Sequence, residues 1–284
     1  MNAHIQSFAE ELATYVLVKA DAAQLPVDLE KVAYSLGVSE IQKKDLAAEG
    51  YVEAIADGGY RVVLRAGRSP QRTRFSLAHE IGHVLIHKME AAPKAPLGRR
   101  YRSFSRVGNQ IDDETVADTL AGALLIPAST ISRMLPGKFS MKGISRIAEV
   151  TESSTPTAML RAMWYATQPC VAFHLRWTVD KPNTLRCMWT RSSRSVRPLT
   201  PDKIGELVEP SVMTHIRNVP NVQKFATILN RSGCVCRIEF TRVRYFERES
   251  FYGLAFLRGD WEAELFPAPE EVDFEPIPTA ELEV

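Results

Sequence analysis

The sequence predicts an α+β chain whose chemistry sits in a helical first half and whose second half is rich in strands. Three observations carry that prediction. The stretch "RFSLAHEIGHVLIH", Arg74 to His87, places Phe75, Ala78, Ile81 and Leu85 at helical spacing, with Met89 continuing the row, while His79, His83 and His87 recur every four residues on another face. The stretch "DETVADTLAGALLIP" reads as a second apolar helix that opens with acids at Asp113 and must end at Pro127. Beyond Pro169 the pattern changes to β in "CVAFHLRWTV", "TLRCMWTR", "GCVCRIEFTRVRYF" and "FYGLAFLR".

A length of 284 residues, 45% of them apolar and 24% charged, suits one large globular domain or two ordinary ones. The longest apolar runs, such as "AGALLIP", are far short of the ~20 residues that cross a bilayer. The opening "MNAHIQSFAEELATYVLVKA" carries acids early and no cleavable signal pattern, so a cytoplasmic location is expected. All four cysteines (Cys170, Cys187, Cys234, Cys236) fall in the second half and are expected to be reduced.

In chain order, Leu25 to Val38 predicts a short helix capped by Asp28, with Leu29, Val32, Ala33 and Leu36 on one face and Gly37 as its stop. "YVEAIADGGYRVVLRAG" predicts a hairpin turning at Asp57, Gly58 and Gly59. The histidine helix follows, then an irregular basic stretch from 88 to 112, then the helix from Asp113. Two shorter helices, "MKGISRIAEV" and "PTAMLRAMWYA", flank the turn "TESS", with Pro156 in a first helical turn. In the β-rich half, "PDKIGELVEPSVMTHI" predicts a helix broken at Pro210. After Arg258 nine acids and four prolines occur with no Lys or Arg, which predicts a disordered tail. The expected divisions are 1–135, a helical segment at 136–168, an α+β domain at 169–260 and the acidic tail at 261–284.

A divalent metal accounts for the histidines. Two histidines at i and i+4 on one helical face can aim their ring nitrogens at one point about 2.0–2.1 Å away, a geometry that suits zinc. Glu80 stands beside that pair, where a carboxylate can take a proton from metal-bound water instead of ligating. Gly82 costs roughly 1 kcal/mol in a helix interior, so something is expected to approach the backbone closely there, and a neighbouring strand or a substrate would serve. Glu114 on the next helix offers a third ligand, and Asp118, one turn on, can accept the second N–H of a ligating histidine. An acid at position 114 also suits a helix N-terminus. His87 lies one turn past the metal and is assigned a structural hydrogen bond.

In that order, "PVDLEKVAYSLGV", "RFSLAHEIGHVLIH" and "ETVADTLAGALLIP" resemble the ImmA/IrrE family of metallopeptidases over roughly residues 25–165. The family pattern E-x-x-A-(N/D)-x-(F/L)-A-x-x-L-L-x-P is met at every fixed position from Glu114 to Pro127. The resemblance implies a zincin-like fold, zinc (or manganese) held by His79, His83 and Glu114, Glu80 as general base and Asp118 behind the ligands. Relatives often carry a second acid at position 116, where this chain has Val116, which leaves Glu114 as the third ligand. It also implies an endopeptidase that cleaves a helix-turn-helix (XRE-type) repressor and so releases stress-response or mobile-element genes. Tyr101, Arg100 and Arg102 are candidate oxyanion donors, and sequence does not choose among them.

Relatives carry a helix-turn-helix where "MKGISRIAEV" and "PTAMLRAMWYA" fall. Here the second helix offers only Arg161 as a basic residue and the turn lacks an apolar anchor, so a structural role is expected and DNA binding is weakly supported. The β-β-α-β-β order of residues 170–258 suits a GAF-like or PAS-like sensory module, which IrrE-type relatives carry at this place. Cys234 and Cys236 lack knuckle spacing, so buried thiols are expected rather than a four-thiolate zinc site. Setting the tail's nine acids aside from the overall +1 leaves a body near +10, a charge that solvation explains and that could also attract nucleic acid or an acidic protein. The rival to the peptidase is a zincin-fold regulator or toxin that binds a partner or nucleic acid without proteolysis. Glu80 favours the enzyme, since a binding module needs no base beside a metal.

Overall fold

The computed structural model of the chain describes residues 3–56, 58–91, 113–135, 139–177, 185–196, 223–228, 235–245 and 248–257. Helix α1 (Ala3–Lys19) buries Ile5, Phe8, Leu12 and Val16, a stripe at helical spacing. Helix α2 (Leu29–Ser35) starts where Asp28 accepts a hydrogen bond from the Lys31 amide at 2.9 Å. Gly37, at φ +87°, turns the chain out of it. Helix α2 is therefore the predicted element, trimmed at both ends, whereas α1 was not predicted.

Three strands follow, β1 (Val38–Lys44), β2 (Gly50–Ala54) and β3 (Tyr60–Arg65), in the spatial order β1-β3-β2. Strands β2 and β3 form the predicted antiparallel hairpin, closed by the Ile55 amide on the Gly59 carbonyl at 3.0 Å, with Gly58 at φ +78°. Strand β1 runs parallel to β3 and was not predicted. Its residues "VSEIQKK" bury only Val38 deeply, so no strand-like alternation of core residues marks it.

Helix α3 (Pro70–Ala91) packs on β2 and β3 and carries the histidines. Helix α4 (Asp113–Leu125) lies along α3 and is backed by α1. It stops two residues short of Pro127, and a further short helix, α5 (Ala128–Met134), follows. Helices α6 (Met141–Val150) and α7 (Thr155–Met163) match the two predicted short helices, capped by Ser140 and Ser154, with Pro156 in the first turn of α7.

Strands β4 (Cys170–Trp177), β5 (Leu185–Ser192), β6 (Gln223–Ile228), β7 (Val235–Tyr245) and β8 (Arg248–Phe256) form an antiparallel sheet in the order β5-β4-β8-β7-β6. Strand β6 was not predicted. The predicted helix at 201–216, the stretch 92–112 and the tail at 261–284 lie outside the described residues. One face of this sheet buries Phe173, Phe251, Phe240 and Ile238. Gly253 makes room there, since a Cβ on it would stand 2.3 Å from the Phe173 ring. On the other face Cys170, Ala172, Leu254 and Phe256 join the same apolar core as the helices, and buried Glu239 accepts the Met141 amide at 2.9 Å at the start of α6. No single helix among the described residues is long and apolar enough to cross a membrane.

Arg161 is the one basic residue of α7, and the structure withdraws it from any nucleic acid. Its side chain is 5% exposed. The guanidinium donates to Glu10 at 2.6 Å and through Nε to the Ile126 carbonyl at 3.0 Å, tying α7 to α1 and to the end of α4. Burial works against an ionised Glu10, but the Arg161 bonds and charge outweigh it and hold the carboxyl below its usual value. The structural role expected for this helix pair thus has a physical cause.

Candidate metal centre

The helical repeat of α3 stacks His79 and His83, one turn apart, on the side that faces α4. Their Nε2 atoms are 3.0 Å apart. Glu114, in the first turn of α4, lays Oε2 3.2 Å from the His79 Nε2 and Oε1 3.3 Å from the His83 Nε2. One ligand atom from each of the three lies within 4.8 Å of the other two, so the trio could hold a metal ion. Asp118, one turn further on, sits 2.8 Å from the His79 Nδ1. With Nδ1–H donating there, the His79 Nε2 keeps its lone pair for the centre.

Charge and burial set the protonation of the site. The Asp118 hydrogen bond, helped by that residue's charge, raises the His79 pKa against the effect of burial. Burial lowers that of His83, and the neighbouring His79 adds to the effect. Glu80 is 5% exposed. Burial, with a contribution from the Glu114 charge, pushes its carboxyl up to about 7, with His79 opposing. A carboxyl poised near neutrality is suited to accept and release a proton.

Two glycines create the space. A Cβ on Gly82 would stand 2.9 Å from the Ala117 Cα and 3.1 Å from its carbonyl oxygen. The close neighbour expected at Gly82 is therefore the ligand-bearing helix itself, not a strand or a substrate. A Cβ on Gly50 would meet Glu80 Oε1 at 2.8 Å, so the start of β2 leaves room for the Glu80 carboxyl. Sequence reasoning missed Gly50, whose only signal was a glycine opening a β-rich run.

Other predicted residues are placed elsewhere or lie outside the described residues. The Tyr60 hydroxyl and the His87 Nδ1 are 2.7 Å apart, which gives His87 the structural bond expected of it. Tyr101, Arg100 and Arg102 lie outside the described residues, as do Cys234 and the side chain of Cys236. Cys170 is a buried thiol and Cys187 a half-buried one, neither in a disulfide among the described residues.

An HExxH helix facing a helix that offers a glutamate defines a site of metallopeptidase type. Residues 35–163, a little under half of the chain, match the IrrE N-terminal-like domain of peptidase family M78. A solved structure of a "Mycobacterium tuberculosis transcriptional regulator" shares the fold, with a TM-score of 0.54 and 11% sequence identity over 96% of this chain and 94% of that one. No curated protein sequence matches the chain.

Proposed function

We propose that the chain is a zinc-dependent endopeptidase that cleaves a helix-turn-helix transcriptional repressor in the cytoplasm. The observation that carries the reading is the triangle of His79, His83 and Glu114 with buried Glu80 beside it. Ligands bound about 2.0–2.1 Å from a tetrahedral ion stand about 3.3–3.4 Å from one another. The 3.0 Å between the two Nε2 atoms is close to one edge of such a tetrahedron, and Glu114 turns one oxygen to each histidine at 3.2 and 3.3 Å. The donor set of two imidazoles and a carboxylate fits zinc, and manganese is an alternative.

A zinc ion there would supply a Lewis acid and a water acidified toward ~7. Glu80 takes the proton released as the nucleophile forms and returns it to the departing amine; its burial sets its proton affinity for both steps. Asp118 fixes the His79 ring through Nδ1. Strand β2 is an edge of its sheet among the described residues and starts beside Glu80, so an extended peptide can add to it with a backbone carbonyl near the site. In this reading the catalytic unit spans 1–135, helices α6 and α7 join it to a sensory module of GAF or PAS type at 169–260, and the tail is a separate appendage.

A regulator that keeps the fold without proteolysis is the second reading, favoured by the structural neighbour being a transcriptional regulator. Co-incubation with a helix-turn-helix repressor encoded beside the gene, with zinc or manganese, separates the two. The peptidase predicts a single cleavage by the wild type and none by Glu80→Gln; an intact repressor, or equal cleavage by both, rejects it.

A further inference from the structure

A cleft of about 1170 Å³ opens between helices α3, α4 and α7 and the second sheet. It prolongs the groove that holds the metal centre. On α3, Arg72 and Phe75 extend the row of His79 and His83 toward the start of the helix, and on α4 Gly122 extends the row of Glu114 and Asp118. Arg72, Phe75, Asp118 and Gly122 all line the cleft. The volume exceeds the ~300–1,000 Å³ usual for small-molecule sites, which suits a stretch of peptide.

The cleft wall carries an unbalanced pair of cations. Just before β2, the Glu49 carboxylate accepts from Nη2 of Arg68 and, at 3.0 Å, from Nε of Arg72. Among the described residues it is the one carboxylate within ion-pair reach of either guanidinium. Burial works against an ionised Glu49, but the bonds and charges of Arg72 and Arg68 outweigh it and hold the carboxyl below its usual value. Two positive charges therefore share one negative charge, and each guanidinium uses one of its three nitrogens on it. The Arg68 and Arg72 side chains are 38% and 52% exposed, so their other donors are open to a ligand. The remaining charges on the wall are committed: Asp118 is bonded to His79, Arg161 to Glu10, and Arg191 has a partner of its own.

This surplus charge lies on the path of a peptide seated at the metal. Gly50, next to Glu49, leaves the space that the Glu80 carboxyl occupies. The Arg72 guanidinium is 5.9 Å from the Phe75 ring centroid, and the Phe75 and His79 rings are 6.5 Å apart. An extended chain advances ~3.3–3.6 Å per residue, so a residue held at Arg72 stands about two to four positions from the peptide bond at the metal.

We propose that Arg68 and Arg72 form a substrate subsite that selects an aspartate or glutamate about two to four residues to one side of the bond cut. The proposal rests on the peptidase reading and adds to it the class of sequence taken. The acid of the substrate supplies the second negative charge that Glu49 alone does not, and the open guanidinium donors bond it.

The test uses the full chain and a synthetic library of random decapeptides. In one arm the wild type with zinc cuts the library and the products are sequenced by mass spectrometry. Cut sites should carry Asp or Glu on one side about five-fold more often than Asn or Gln, the scale of one partly exposed charge pair. The Arg68→Gln, Arg72→Gln double variant should lose that ratio. Glu49→Gln, which removes the competing carboxylate, should raise it, and decides the matter if the double variant does not fold by circular dichroism. In the other arm the library passes over immobilised full-length Glu80→Gln with zinc, which holds peptides uncut. Acidic peptides should be retained at low salt and released at high salt, and adding Arg68→Gln and Arg72→Gln should abolish the retention. Cutting with no acidic preference, or with a preference indifferent to the arginine and Glu49 changes, overturns the subsite and spares the peptidase. Acid-selective retention without cutting by the wild type rejects the peptidase and upholds the subsite; absence of both overturns the two together.

Discussion

Replacing Gly82 by alanine tests whether the spacing of α3 and α4 is what assembles the metal centre. The new methyl carbon would lie 2.9 Å from the Ala117 Cα, 3.1 Å from its carbonyl oxygen and 3.2 Å from its Cβ. Two of these atoms are backbone and cannot swing aside, so the helices must part by about 0.5 Å to restore ordinary contact. Overpacking of this kind costs about 1–3 kcal/mol, and the better helix propensity of alanine returns about 1 kcal/mol. The expected net loss is up to about 2 kcal/mol in urea unfolding of the metal-free protein. Because Glu114 rides on α4 and the histidines on α3, the same parting should weaken zinc about ten-fold in a chelator competition. Gly122, in the same helix as Ala117, is the control. Its added Cβ would meet only the Arg161 Cδ, at 3.4 Å, so Gly122→Ala should gain up to about 1 kcal/mol. A Gly82→Ala variant as stable as the wild type, with unchanged zinc affinity, would refute the idea that close helix approach builds the site.

Glu80→Gln is expected to keep metal and lose peptide cleavage. In the metal-free protein it should also change how stability depends on pH. The Glu80 carboxyl is raised from 4.5 to about 7 in the folded chain, so its favourable contribution is complete below 4.5 and is lost as pH rises through about 7. The variant should therefore match the wild type near pH 4.5 and exceed it by about 2–3 kcal/mol near pH 8, which parallel urea titrations at the two pH values measure. Glu114→Ala should lower zinc affinity at least about ten-fold and Asp113→Ala should leave it nearly unchanged, read by the same chelator competition; equal losses would return Glu114 to the role of a helix-end acid. Arg161→Met should cost about 2–3 kcal/mol near pH 7 by leaving half-buried Glu10 ionised without its cation. Since the Glu10 pKa is lowered in the folded chain, the stability it shares with Arg161 is present above 4.5 and fades as pH falls below it, so the penalty should shrink in acid. A penalty independent of pH would place the cost in packing alone.

The site was far more legible than the frame around it. His79, Glu80, His83, Glu114 and Asp118 lie on two strongly periodic helices, and periodicity fixes which side chains share a face before any tertiary contact is known. Gly82 likewise announced a close neighbour, and Ala117 of α4 is that contact. What stayed hidden depends on partners distant in sequence. Strand β1 is half-polar and is held by parallel pairing with β3, which no local pattern encodes. Helix α1 was legible in principle, since Ile5, Phe8, Leu12 and Val16 already stand at helical spacing in its sequence. Gly50 matters through Glu80, 30 positions further on, and the bond from Met141 to Glu239 spans 98. The fate of Arg161 was equally unreadable, since an arginine on a short helix between two apolar stretches gives no sign that Glu10 will enclose it.

The clasp between Glu10 and Arg161 bears on where this protein can be cut. The family match begins at residue 35, after α1, and ends at residue 163, in α7. A fragment with those ends would keep the guanidinium and discard its carboxylate, and would strip from α4 the helix that covers it. Truncation after residue 135 makes the opposite error, keeping Glu10 and losing Arg161 and Tyr165, whose hydroxyl also donates to Glu10. The smallest piece that retains both halves of the clasp runs from α1 through Tyr165, so the first helix belongs to the same packed body as the helices that carry His79, His83 and Glu114, although the family match leaves it out.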